Sequence, residues 1–371
     1  MKDWQEDLLK DLNIHGIILD KGTKKNQELL AQNCSAYVIN FESAWRLTDL
    51  LKWVDNDTTV LVDESHKMKS PTSSIGKFMQ KLAKCTQYKL ILTGTPQSQG
   101  YIDYYNQLYF TDTWDMKFAS FKNTFCIYEK RYYNGFMINT LVGYRKKDFL
   151  DKFINSNCVF YERKVDDEMI PTDIKTTFDK PKIYDKFKKI RVYEDVVADT
   201  MGKLFVSLRT ICSGNIEENE VDNQKIKWLD DFLDCIDDRL VIFYNFNVER
   251  DRIIKLLESK KIKYSEYSGR IKDFTEFKTN EKSVAICQYK SASTGLNDLC
   301  IANKCVFYSL PLEYIDYAQS KKRIDRIGQT RKPLFYYLIC KGTVEEKIYE
   351  KLKEGKSFDD KMFDAYLNNT A

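Results

Sequence analysis

The sequence predicts an α/β protein built as two lobes with parallel sheets and a helical insert between them. Three observations carry that prediction. Short apolar, β-branched runs alternate with amphipathic helical stretches through the first third of the chain. The same alternation resumes after an acidic, polar stretch at Glu217–Asn223. The segment between lacks it. Strands separated by helices in this rhythm imply parallel pairing. At 371 residues the chain is long enough for two domains.

In order, Ile14–Leu19 reads as a strand, Lys24–Gln32 as a helix and Ala36–Asn40 as a second strand. Ser43–Val54 reads as a helix with Ser43 as its N-cap. A third strand, Val60–Val62, is followed by a helix at Ile75–Ala83 and a fourth strand at Lys89–Leu92. From Tyr101 to Cys212 the chain is rich in tyrosine, phenylalanine and lysine and reads as mostly helical. A short hairpin is expected around Asn134-Gly135, and Pro171 and Pro181 bracket an extended crossing. The helix Leu204–Cys212 stops at Ser213-Gly214. Beyond the linker come helices at Lys225–Ile236, Val248–Lys260, Tyr314–Asp325 and Val344–Glu354. Strands are expected at Leu240–Tyr244, Ser283–Gln288, Lys304–Tyr308 and Leu334–Ile339. The expected division is 1–112 for a first lobe, 113–218 for the helical insert and connector, and 219–371 for a second lobe.

Composition narrows the class. Hydrophobic content of 43% with 31% charged residues is that of a soluble globular protein, and the net charge of +4 is mild. Ten cysteines form no C-x-x-C pair, and with only two histidines no zinc-type cluster can be assembled by spacing. They are expected to be reduced thiols. No apolar run approaches the ~18 residues of a membrane span, and the start, Met1-Lys2-Asp3-Trp4-Gln5-Glu6-Asp7, is too polar for a signal peptide. No membrane partner and a cytoplasmic location are expected.

Four short motifs carry chemistry. The strand Thr59–Val62 runs into Asp63-Glu64-Ser65-His66. Two adjacent carboxylates and a histidine at a strand end suit a nucleotide hydrolase, one carboxylate holding Mg²⁺ while its neighbour polarises a water. An acidic turn after a strand is the plain alternative. The second motif is Leu92-Thr93-Gly94-Thr95-Pro96, a strand ending in small hydroxyl residues. The third is Thr294-Gly295-Leu296-Asn297, a glycine turn after a strand. The fourth runs from Gln319 to Gln329, where Arg323 and Arg326, three apart, are expected to share a helix face. Two guanidinium forks projected together suit a triphosphate.

With these motifs in this order, the chain resembles the two-lobed motors of helicase superfamily two, and among them the Swi/Snf-like DNA-dependent ATPases. Tyr37–Glu42 is similar to an early DNA-contacting segment, Leu208–Gly214 to the arginine-bearing segment before the second lobe, and Leu240–Tyr244 to that lobe's first strand. Gly342–Ile348 is also typical. The resemblance implies RecA-like lobes, ATP and Mg²⁺ as cofactors, and double-stranded DNA as partner, held mainly by phosphate contacts. It implies that Asp63 holds the metal, Glu64 activates water, and His66 links that box to Thr93, Gly94 and Thr95. Arg323 and Arg326 reach the γ-phosphate, and Gln319, Gly295 and Asn297 face the nucleotide. Asn40 and Thr294 meet the nucleic-acid strand.

The chain departs from that pattern in one respect: it has no phosphate-cradling loop G-x-x-x-x-G-K-[ST] ahead of the Asp-Glu box. Gly22-Thr23-Lys24, Gly76-Lys77-Phe78 and Gly202-Lys203-Leu204 each lack part of it. Without that loop ATP loses most of its anchoring, and the first lobe, read as N-terminally truncated, is left short of a central strand with an exposed edge. A separately encoded cradle (Walker A) segment, a chain that begins too late, and a decayed remnant each account for this. A non-catalytic nucleic-acid-binding or protein-interaction module on a relic motor is the rival to an ATP-driven translocase. Pro311-Leu312-Glu313-Tyr314 stands where the family has a tryptophan-bearing turn. Arg145–Lys147 and Lys186–Arg191 are candidate phosphate contacts or plain solvated helix faces.

Overall fold

The computed structural model describes residues 1–32, 34–97, 100–133, 136–161, 167–292 and 298–368. The chain divides into two compact units, Met1–Arg163 and Lys164–Ala371.

In the first unit, a helix at Lys2–Leu12 precedes β1 (Gly16–Leu19), which pairs in parallel with β2 (Ala36–Ile39). A second parallel pair joins β3 (Thr59–Val62) to β4 (Tyr88–Ile91). Among the described residues the two pairs share no hydrogen-bonded rung. They lean on one core, Leu19 and Ile39 from the first pair and Val62 and Ile91 from the second, with Leu50, Phe78, Met79 and Phe110. The strand period of two explains which residues reach it. Val60, Val62 and Ile91 point inward, whereas Leu61, Tyr88 and Leu90 point outward and are 42%, 52% and 51% exposed. Parallel sheets are ordinarily covered on both faces, so this face is bare by the standard of its own fold class.

The helix expected at Ser43–Val54 is two single turns instead, Phe41–Ala44 and Leu50–Trp53, with the weak helix formers Thr48 and Asp49 at the break. Its cap is Asn40, whose Oδ1 accepts from the Ser43 N–H at 2.7 Å. The helix Ser74–Leu82 is capped by Ser73, Oγ accepting from the Gly76 N–H at 3.0 Å. A Cβ on Gly76 would stand 1.9 Å from the Ser70 carbonyl oxygen, so this glycine serves close packing.

Residues beyond Asp112 are less helical than expected. Between helices at Phe118–Phe125 and Lys147–Asn157 runs a long antiparallel ribbon, β5 (Cys126–Tyr133) with β6 (Phe136–Tyr144). The expected turn at Asn134-Gly135 lies outside the described residues. The ribbon lacks clean apolar alternation because most of its length is solvated. Only its root enters a core, where Cys126, Leu141 and Tyr144 pack with Tyr105, Trp114, Phe121 and Leu150.

The second unit holds a six-stranded, wholly parallel sheet. The stretch between Pro171 and Pro181 is β7 (Thr172–Phe178), a sheet strand and not a free crossing. Two small hairpins follow, β8 (Val192–Tyr193) with β9 (Val196–Val197) and β10 (Asn215–Ile216) with β11 (Asn219–Glu220). Then come β12 (Leu240–Tyr244), β13 (Lys263–Tyr267), β14 (Ser283–Gln288), β15 (Lys304–Phe307) and β16 (Leu334–Cys340). Their order is β13-β14-β12-β15-β16-β7. β12, wholly buried, packs Val241 and Phe243 into one core layer and Leu240, Ile242 and Tyr244 into the other. The unexpected β13, Lys263-Tyr264-Ser265-Glu266-Tyr267, is an edge strand whose polar residues hide its strand character. No helix among the described residues is long and apolar enough to cross a membrane.

Candidate nucleotide site

The first unit assembles the acidic box at the carboxyl end of β3, the end where α/β sheets bind ligands. After Val62 the backbone turns sharply. Glu64 takes a left-handed conformation, φ 52° and ψ 48°, and leads into a 3₁₀ turn at Ser65–Met68. A non-glycine residue held there marks a turn that its surroundings over-determine. The turn leaves Asp63 exposed and Glu64 half-buried. Asp63 Oδ1 accepts from the Glu64 N–H at 2.8 Å, and Oδ2 accepts from Trp4 Nε1 at 3.0 Å.

His66 is buried beneath this turn. Its Nδ1 lies 3.2 Å from Glu64 Oε2, 3.1 Å from Thr93 Oγ1 and 3.5 Å from Thr95 Oγ1. One imidazole nitrogen therefore stands where the box and the Thr-Gly-Thr turn meet. Backbone bonds hold the two together: Leu92 N–H donates to the Val62 carbonyl at 2.8 Å and Ser65 N–H to the Leu92 carbonyl at 2.9 Å.

Sequence reasoning missed the clamp behind the box, the helix Ile102–Phe110. Ser65 Oγ donates to Gln107 Oε1 at 2.7 Å, and Gln107 Nε2 donates to the carbonyls of Pro96 and Asp103, both at 2.8 Å. Asn106 Nδ2 donates to the Met68 carbonyl at 2.6 Å, and Lys69 pairs with Asp103 at 3.4 Å. The signal was present: Asp103, Asn106 and Gln107 recur at helical spacing among aromatic residues that would otherwise be pure core.

Other expected site residues fall elsewhere. Asn40 is occupied as a helix cap. Thr294, Gly295 and Asn297 lie outside the described residues. Gln319 and Arg323 lie on the helix Tyr314–Ile324 in the second unit. That helix ends before Arg326, so the shared helical face expected for Arg323 and Arg326 does not form. The cause is Gln329, whose buried amide donates to the carbonyls of Cys300, Ala302 and Ile324 at 3.1, 2.8 and 3.1 Å. Gly328, at φ 97°, permits the turn that brings it there. Lys321 on the same helix meets Asp173 at 2.8 Å, and Lys353 and Tyr337 meet that carboxylate too. Burial alone pushes the Asp173 carboxyl up, but the two lysines outweigh it and hold the group below the usual aspartate value.

Within the second unit, Arg209 is buried, its Nη2 donating to the Leu310 carbonyl at 2.7 Å, with its guanidinium 4.9 Å from the Phe246 ring centre. Glu249 gathers Ser213, Ser309 and the backbone of Asn245 around it. Lys225 and Glu345 form a buried pair at 2.5 Å. Cys212, Cys340 and Glu345 bring three potential metal ligands within 4.8 Å. They do not fit a cation: the Lys225 ammonium already neutralises Glu345, and Cys340 Sγ donates to the Cys212 carbonyl. Of the two basic clusters, Arg145–Lys147 is exposed, whereas Lys188 sits over the Tyr366 ring at 4.4 Å.

Residues 1–136 match the SNF2-related domain. By these matches the chain resembles Swi/Snf-like proteins. It is 23% identical over 351 residues to SWI/SNF-related matrix-associated actin-dependent regulator of chromatin subfamily A-like protein 1 of Xenopus laevis, covering 86% of this chain and 34% of that protein. It is also 23% identical over 330 residues to the uncharacterized ATP-dependent helicase MG018 of Mycoplasma genitalium, covering 80% of this chain and 30% of that protein. The chain thus spans about a third of the length of these relatives. Among solved structures, the C-terminal part of the Fun30 ATPase domain is similar at a TM-score of 0.43 and 18% identity, over 54% of this chain and 96% of that one.

Proposed function

We propose that this chain is the hydrolytic and DNA-tracking part of an SNF2-type motor, working once a phosphate-cradling segment completes its first lobe. The observation that carries the reading is the His66 junction, where one nitrogen lies within 3.5 Å of both the acidic box and the Thr93–Thr95 turn. Such a junction lets a change at the carboxylates be felt at the turn. Bound ATP with Mg²⁺ supplies the phosphoanhydride to be cleaved and the charge that offsets its oxygens.

Asp63, exposed at the strand end, is suited to a hydrated Mg²⁺, which favours one or two carboxylates and keeps its waters. Glu64 takes the proton of the attacking water, and His66 relays its position to Thr93, Gly94 and Thr95. From the second lobe, Arg323 and Arg326 stabilise charge on the γ-phosphate, with Gln319, Gly295 and Asn297 facing the nucleotide. Thr294 and Asn40 belong to the face along which double-stranded DNA lies, although Asn40 can contribute only through what its cap leaves free. The lobes are proposed at 1–112 and 219–371, with β7 from the intervening 113–218 stretch joining the second lobe's sheet.

The split sheet and the bare Leu61, Tyr88 and Leu90 face support a strand and a covering helix supplied from elsewhere, upstream in cis or as a second polypeptide. Ten free thiols suit a reducing compartment such as the cytoplasm. The same split sheet favours the second reading, a non-catalytic nucleic-acid-binding module. Tight ATP binding by the chain alone would count against it. Tracking is tested by displacement of a triplex-forming third strand from duplex DNA, with the cradle segment fused ahead of Met1. Displacement that needs ATP and vanishes in Glu64→Gln is expected, and no displacement overturns the proposal.

A further inference from the structure

The β5–β6 ribbon is an arm with a fixed root and an uncovered outer half. At the root, Cys126 and Phe125 are buried, Tyr144 Oη accepts from the Ile102 N–H at 3.3 Å, and the Tyr101 ring meets Tyr144 edge-on at 5.2 Å. Farther out, the register sets Tyr128, Lys130 and Tyr132 on one face opposite Leu141, Asn139 and Met137. Tyr132 is 76% exposed and its cross-strand partner Met137 is 65% exposed. Two such neighbours side by side on one face make a small apolar patch of the kind that marks an interaction site.

Charge identifies the ligand's chemistry. From Lys117 to Lys152 the chain carries eight lysines and arginines against three acidic residues, a surplus of five where the whole chain has +4. The remainder of the molecule is therefore slightly acidic, and the chain's positive surplus is concentrated on the ribbon and its flanks. Arg145, Lys146 and Lys147 are exposed beside the root, and Lys130 is exposed between the two tyrosines.

A tyrosine–lysine–tyrosine alternation offers two ring faces with a cation between them. In a duplex the base faces are stacked on each other, whereas an unpaired strand presents them together with its phosphates. We propose that the Tyr128–Lys130–Tyr132 face binds an unpaired nucleic-acid strand, bases against the tyrosines and phosphates on Lys130 and the basic root. This rests on the nucleic-acid motor reading and adds to it a second contact, of different strand chemistry from the tracked duplex.

The test is fluorescence anisotropy of the full chain with a labelled oligothymidylate and, separately, a blunt duplex. Tyr128→Ser with Tyr132→Ser is expected to weaken oligothymidylate binding by about tenfold or more and to leave the duplex unchanged. Lys130→Ala with Arg145→Ala and Lys147→Ala is expected to lower the log–log salt slope for oligothymidylate by about 2. The altered side chains are exposed, so unchanged thermal midpoints are expected. Unchanged oligothymidylate affinity in the tyrosine variant overturns the proposal, as does an equal loss on blunt duplex. Wild-type chain that binds duplex but not oligothymidylate overturns the ribbon assignment alone. Binding to neither overturns it together with the motor reading.

Discussion

Glu345 belongs to the Gly342–Ile348 segment that resembles a motor family, yet its surroundings make it a structural clamp. Its Oε1 meets Lys225 Nζ at 2.5 Å, with the two side chains 5% and 2% exposed, and its Oε2 accepts from the Cys340 N–H at 2.9 Å. Burial disfavours the Lys225 ammonium, but Glu345 beside it reverses the effect and holds its pKa above the ordinary lysine value. Glu345→Ala leaves that cation with the Tyr308 carbonyl, at 3.0 Å, as its hydrogen-bond acceptor among the described residues. Removing one partner of a buried pair costs about 3–5 kcal/mol, and the orphaned Cys340 N–H adds about 1 kcal/mol. The expected loss is therefore about 4 kcal/mol or more, read as a lower urea midpoint for the second unit. Trp228, stacked on Phe232 at 4.6 Å, lies there as a fluorescent reporter. Lys225→Met combined with Glu345→Leu should recover most of the loss, since a well-packed apolar pair often replaces a buried ion pair at little cost. A Glu345→Ala loss below about 1 kcal/mol, or a double variant worse than the single, would refute the reasoning.

Three further outcomes follow from the packing. Gln107→Leu strips the Ser65 hydroxyl and the Pro96 carbonyl of their partner, so unfolding of the first unit should become easier by about 2–4 kcal/mol in a thermal melt. Gly76→Ala drives a methyl into the Ser70 carbonyl and should destabilise by about 1–3 kcal/mol, whereas Gly202→Ala, with open space around it, should stabilise by about 0.5 kcal/mol. Asp173 has a folded pKa below its unfolded value. Its contribution is therefore present above about pH 4 and is lost as the pH falls through the lowered folded value. Asp173→Asn should flatten the acid limb of the stability–pH curve, and an unchanged limb would show the pair to be inert.

Legibility in the sequence followed burial. β12, wholly apolar and wholly buried, is found with the bounds its pattern predicts. β13 escaped notice because Lys263, Ser265 and Glu266 are polar, although Ser265 and Glu266 are buried. The ribbon was expected only as a short hairpin, and its length escaped for the opposite reason, since a solvated strand pair need not alternate. In the site, adjacent residues were easy to group: Asp63, Glu64 and His66 stand together because one tight turn holds them. Arg323 and Arg326 were misjudged because spacing assumes the helix continues. A buried glutamine three residues past Arg326 ends it, and only the tertiary partners of Gln329 reveal that. The polar spacing of Asp103, Asn106 and Gln107 was readable, but that Gln107 clamps the box shows only once Ser65 and Pro96 stand beside it.

In the function proposed above, Asp63 and Glu64 hydrolyse ATP under the control of DNA. Phosphate release, measured with and without duplex DNA on the chain carrying an upstream cradle segment, tests it most directly. DNA stimulation is expected in the unsubstituted chain, with a loss of about 10²-fold or more in Glu64→Gln. In His66→Ala, turnover that duplex no longer stimulates is expected. Equal rates with and without DNA, or Glu64→Gln as active as the unsubstituted chain, would contradict the proposed function.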